Sequence, residues 1–155
     1  MTCKTSPIKR IDALIKMEKK YILTEPLVAS IAEIKYQTKI EWRNGVLLSD
    51  EPVSLGGQDL GPDPYTLLLS SLASCTLATL RMYIDRKEWK VPEITVKANL
   101  FQRIEEGKLV TTIERAIFFN QPMEAEQKDR LLKIAQSCPI SKILKNEVQI
   151  VDDVF

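Results

Sequence analysis

The stretch Gly61–Trp89, GPDPYTLLLSSLASCTLATLRMYIDRKEW, decides how the rest of the chain is read. It opens on a turn punctuated by Pro62 and Pro64 and closes on a charged run, and between Asp63 and Arg81 it carries no charge. That pattern predicts a helix apolar on nearly all sides, buried at the centre of a soluble domain. Its uncharged window, Pro64 to Leu80, only reaches the bottom of the membrane-spanning range of about 17–25 residues. The same window holds Thr66, Ser70, Ser71, Ser74, Thr76 and Thr79, so a membrane span is not the reading adopted.

Working outward, Ile31 to Trp42 alternates apolar and polar residues, the period of a strand with one wet face. Asn44-Gly45 supplies a tight turn and Val46-Leu47-Leu48 begins the returning strand. Ser49 to Gly61 reads as a loop or a short strand. Beyond the central helix, Ile94 to Phe101 and Leu109 to Phe119 form a hairpin about Glu105–Lys108, with its apolar side toward a helix layer. A second helix is expected over about Glu124 to Gln136, and a short one over Ile140 to Leu144 behind Pro139. Val148 to Val151 is read as one more strand. Runs of strands separated by helices, without βαβ alternation, argue an α+β fold. At the other end, residues 7–20 can form an amphipathic helix, an appendage with Cys3 at its start.

A chain of 155 residues favours one domain, and 22 basic against 21 acidic residues give no electrostatic case for nucleic acid or an anionic membrane. The chain has no histidine, which removes Ser/His and Cys/His nucleophile pairs and nearly all zinc-enzyme sites. No cofactor and no metal is expected. Three cysteines do not make a secreted disulfide framework, and the N-terminus lacks an apolar signal core, so a cytoplasmic location is expected.

The chemistry falls to Cys75 and Cys138. Cys75 shares its helix face with Ser71, Leu72, Ala78, Thr79 and Met82. Alone, that describes a buried packing cysteine with a raised pKa. To act as a nucleophile it needs a cation, and Arg43, arriving from another element, has better geometry than Arg81, which projects about 120° away on the same helix. Cys138 precedes a short helix, where a thiol is either a capping group or a resolving thiol of lowered pKa.

The segment GPDPYTLLLSSLASCTLATLRMYIDRKEW, preceded by SDEPVSLGGQDL and followed by SCPISKIL, resembles the OsmC/Ohr family of organic-peroxide-handling and stress-induced proteins, and more narrowly its OsmC-like redox branch. The likeness divides the chain into a helical extension, 1–29, and an OsmC-like domain, 30–155. It implies a mostly antiparallel sheet wrapped on two main helices, in an intertwined homodimer with active sites at the interface. It further implies that Cys75 attacks an organic hydroperoxide, that Cys138 resolves the sulfenic acid to a disulfide, and that a small or lipoyl-type dithiol reduces the pair. The apolar setting of Cys75 favours organic hydroperoxides over hydrogen peroxide. Family peroxidases hold the thiolate with an arginine, here Arg43, clamped by a glutamate just after the proline that opens the central helix. This chain has Tyr65 and Thr66 there, leaving Asp50, Glu51 or Asp63 to substitute. The alternative is a domain of the same fold that binds an apolar ligand or senses redox state without turnover.

Overall fold

The chain folds as two antiparallel sheets and three helices, seen in a computed structural model that describes residues 20–154. Strands β1 (Val28–Ile31), β2 (Thr38–Trp42) and β3 (Gly45–Ser49) pair in sequence order. A loop containing one 3-10 turn leads to the long helix α1 (Pro64–Arg86). Strands β4 (Ile94–Glu105) and β5 (Lys108–Phe119) form the second sheet, and helices α2 (Ala125–Gln136) and α3 (Pro139–Lys145) follow. The fold is therefore α+β with antiparallel sheets, as the sequence pattern indicates. The helix expected over 7–20 lies, Lys20 aside, outside the described residues, as does Cys3.

The alternating run Ile31–Trp42 is not one strand. Residues 32–37 turn the chain back, with the Gln37 amide donating to Ile34 O across 3.2 Å, so that Ile31 pairs with Thr38. Alternation alone does not separate one long strand from two short ones joined by a turn that alternates as well. The next turn is shifted by one residue: Arg43-Asn44 make it, and Gly45 opens β3 opposite Trp42. Gly45 is needed there because a Cβ would run into the Trp42 indole.

Asp63 caps α1, its Oδ1 accepting from the Tyr65 and Thr66 amides at 2.8 and 3.1 Å, with Pro64 at the first helical position. Helix α1 is long and apolar enough, by length and composition, to cross a membrane. Within one chain it is buried along a single stripe, Leu72, Thr76, Leu80 and Ile84, one residue per turn. The expectation of burial on nearly all sides is thus not met in one chain: Tyr65, Leu68 and Met82 are exposed. The stripe packs on α2, α3 and β4. Leu80, Ile84, Val91, Met123, Leu131 and Ala135 form the core, with Tyr83 and Trp89 meeting edge to face against it.

Strands β4 and β5 run in continuous register from Ile94↔Phe119 to Glu105↔Lys108. Glu106 and Gly107, both at positive φ, close the hairpin. The strand expected at Val148–Val151 does not form; residues after Asn146 have no regular structure, and Val148, Ile150 and Val151 are exposed. A short apolar run forms a strand only where it pairs, and four residues of alternation do not specify a partner.

Candidate active site

Pro139 sets the site from the chain outward. It cannot continue α2, and it holds the residue before it in extended backbone, so Cys138 becomes the N-cap of α3 at φ −61°, ψ 145°. That position turns the Cys138 sulfur back over the first turn, where the Ser141 amide donates to it across 3.3 Å. The thiol in turn donates to Ser141 Oγ at 3.1 Å. Cys138 is fully buried, under the central helix.

From α1, the buried stripe brings Thr76 to the same sulfur, with Oγ1 3.8 Å from Cys138 Sγ. The Thr76 hydroxyl donates to Leu72 O at 2.7 Å, so its oxygen is left facing the site. From β5, Arg115 completes a ring. Its Nη1 donates to Thr76 Oγ1 at 2.6 Å and to Ser141 Oγ at 3.1 Å. Two hydroxyls, a guanidinium and a backbone amide thus surround one buried thiol.

Burial alone would raise the Cys138 thiol, but its hydrogen bonds with the Ser141 hydroxyl and amide, with Thr76 and with the neighbouring Cys75 outweigh it. They bring the thiol down from its ordinary 9.0 to about 7. Cys75 sits next to Thr76 on α1, so it flanks the same sulfur from the edge of the buried stripe. Both cysteines are free thiols, Cys75 half-buried and Cys138 wholly so. The structure therefore brings the two cysteines singled out by the sequence into one site.

The arginines are distributed differently. Arg43 stands in the exposed turn between β2 and β3 and makes no hydrogen bond to either cysteine among the described residues. Arg81 donates to Val91 O at 2.8 Å and to Pro92 O at 3.3 Å, pinning the loop after α1. Arg115 was passed over by the sequence reading. Its signal was there: on β5 it alternates in step with Ile113, Ile117 and Phe119, a cation on an otherwise apolar inward face. A charge at such a position needs buried polar partners, and Thr76 and Ser141 are those partners.

Among the described residues, no glutamate hydrogen-bonds or pairs with Arg43 or with either cysteine of the site. Thr66 donates its hydroxyl to Asp63 Oδ2 at 2.6 Å, and together with the Tyr65 amide this holds the Asp63 carboxyl below its usual range. Asp50 is buried and accepts the amides of Glu51, Gln58 and Leu60 at 2.9, 3.1 and 3.3 Å. Both aspartates are committed to backbone amides. Beside the thiol ring, a cavity of about 470 Å³ opens between β5, α2 and α3, with Leu72, Ile113, Leu132 and Leu144 on its apolar walls and Arg115 and Ser141 at the site.

Fold and site together define an α+β domain in which a central helix and a short C-terminal helix meet around two thiols. The chain belongs to the OsmC-like protein family, whose pattern it matches over residues 56–151. Comparison with curated protein sequences gives no match. Among solved structures, the chain is similar to an OsmC like protein from Mycoplasma pneumoniae, with 21% identity, 83% of this chain and 89% of that one covered, and a TM-score of 0.60. It is also similar to an organic hydroperoxide resistance protein from Elizabethkingia anophelis (24% identity, 81% and 89% covered, TM-score 0.60). A third likeness is to the organic hydroperoxide resistance protein OhrB of Bacillus subtilis (16% identity, 79% and 90% covered, TM-score 0.57).

Proposed function

We propose that this chain is a thiol-dependent reductase of organic hydroperoxides that works through Cys75 and Cys138. The observation that carries the reading is the buried Cys138 thiol, braced by Ser141 and Thr76 to titrate at about 7, with Cys75 beside it. Cys75, the half-exposed member, is the one a substrate reaches. Its thiolate attacks the O–O bond, giving a sulfenic acid and an alcohol. The Cys138 thiolate then attacks that sulfur and expels hydroxide, leaving a disulfide. A small or lipoyl-type dithiol returns both cysteines to thiols and becomes a disulfide itself. No resident cofactor enters this scheme, and the protein works in the reducing cytoplasm. The relatives named for organic hydroperoxide resistance support the same substrate class.

The working unit in this reading is an intertwined homodimer of domains spanning 30–155. Two surfaces left open in one chain support it: the strip of α1 bearing Leu68 and Met82, one helical face with Cys75, and the exposed Ile31, Trp42 and Val46 of the first sheet. A second copy on α1 would enclose Cys75 and could deliver Arg43 to it.

A second reading, redox sensing or apolar-ligand binding without turnover, is favoured by one observation. Asp50 and Asp63 are both spent on backbone amides, so neither is free to clamp an arginine. One equivalent of cumene hydroperoxide added to the reduced protein decides between the two. The reductase reading requires a Cys75–Cys138 disulfide by peptide mass spectrometry and repeated turnover with a dithiol. A disulfide without turnover selects the sensor, and oxidation confined to Cys3 sinks both redox readings.

A further inference from the structure

We propose that Arg115 is a positioning residue for the Cys138 sulfur, holding the Ser141 hydroxyl beside it, with Thr76 as its second anchor, so that Cys138 departs readily as a thiolate when the disulfide is reduced. The proposal rests on the reductase reading for its place in the cycle. Its structural basis is independent of that reading.

One nitrogen of Arg115 donates to both hydroxyl oxygens that contact the sulfur, 2.6 Å to Thr76 and 3.1 Å to Ser141. The consequence lies in where the hydroxyl protons go. An oxygen that accepts from a guanidinium must direct its own proton elsewhere. Thr76 sends its proton to Leu72 O. The Ser141 hydroxyl proton has no other acceptor among the described residues, so on loss of the thiol proton it turns to the sulfur 3.1 Å away. The Ser141 amide already points there. Two links of 3.1 Å also place the guanidinium charge no more than about 6 Å from the sulfur, close enough to favour an anion. Arg115 is joined to Cys138 in this way and does not touch the half-exposed Cys75 among its hydrogen bonds.

This asymmetry gives the reductive step a direction. A dithiol reaches the half-exposed sulfur of Cys75, since Cys138 is fully buried. Its thiolate bonds to Cys75 Sγ as the Cys75–Cys138 bond breaks, and Cys138 takes the electron pair. A thiol of lower pKa leaves faster. The second thiol of the reductant then displaces Cys75 and closes its own disulfide, so that two electrons and two protons pass from the dithiol to the pair.

The test uses the full chain with Cys3→Ser and Cys75→Ser, in which Cys138 is the remaining thiol and its ionisation is read by thiolate absorbance at 240 nm against pH. Arg115→Gln should raise the midpoint by about one pH unit or more, and Arg115→Lys should restore part of it, because the charge returns without the planar fork. A structural role alone would lower the melting temperature and leave the midpoint in place. An unmoved midpoint in folded Arg115→Gln overturns the proposal. Should that variant fail to fold, Ser141→Ala gives the reading instead: the midpoint rises if the hydroxyl transmits the effect, and an unmoved midpoint again overturns it. The hydroperoxide experiment separates the two readings. No disulfide with an Arg115-dependent midpoint rejects the reductase alone, whereas a disulfide with an unmoved midpoint rejects the role of Arg115 alone.

Discussion

Ser141 braces Cys138 twice, its amide 3.3 Å and its hydroxyl oxygen 3.1 Å from the same sulfur. The folded thiol loses its proton at about 7, whereas the unfolded one keeps it to about 9.0. Between those values the unfolded chain binds more protons, so stability rises with pH. The contribution is complete above the unfolded value and is lost as pH falls through about 7. Denaturant unfolding of the reduced protein from pH 6 to 9.5 should show this rise, and Cys138→Ser should flatten it. Equal slopes in the two proteins would place the titration elsewhere.

Asp50 organises the loop that leads into α1. Its carboxylate is buried and collects three backbone amides, so Asp50→Ala removes the acceptor that all three share. A loss of about 3 kcal/mol is expected, with a smaller loss for Asp50→Asn, which keeps an acceptor oxygen. Urea melts measure both. Equal losses would mean that the volume of the side chain matters and its hydrogen bonds do not.

Leu80 and Met82 lie on different faces of α1. Leu80 is fully buried against the α2 residues, and Leu80→Ala should cost roughly 2–5 kcal/mol through the cavity it leaves. Met82 is exposed in the single chain, so Met82→Glu should leave the subunit fold intact. On the dimer proposal it should nevertheless shift sedimentation from dimer toward monomer. An unchanged sedimentation profile would show that this strip of α1 lies outside the subunit interface.

Gly45 is small for the sake of Trp42. Gly45→Ala should destabilise the first sheet by about 1–3 kcal/mol through overpacking against the indole. Adding Trp42→Leu should recover much of that loss, because the two changes are coupled through one contact. Additive losses in the double variant would exclude the contact as the cause.

The sequence made some parts of this molecule legible and left others hidden, for physical reasons. The limits of α1 follow from Pro64 and the charges after Leu80, and the β4–β5 hairpin from alternation about Glu106-Gly107. Those signals are local. Cys138 was visible because Pro139 marks a helix start. Arg115 was not, since its meaning depends on Thr76 and Ser141, 39 and 26 positions away. The turn inside Ile31–Trp42 was hidden by an alternation that runs straight through it, and the apolar tail at Val148–Val151 carries a strand pattern but forms no strand. Burial around α1 was overestimated because an uncharged helix does not say whether its cover comes from its own chain.

Among the described residues, both sheets are built from strands adjacent in sequence, and no strand crosses over another. Such pairing closes short loops, which costs little chain entropy and favours rapid folding. The thiol ring is the opposite case, joining Thr76 to Cys138 across 62 positions. It can close only after α1, the hairpin and α2 are in place. The bracing of the reactive thiol is therefore of two kinds: Ser141 reaches the sulfur within one turn of α3, whereas Thr76 and Arg115 close around it only in the assembled domain.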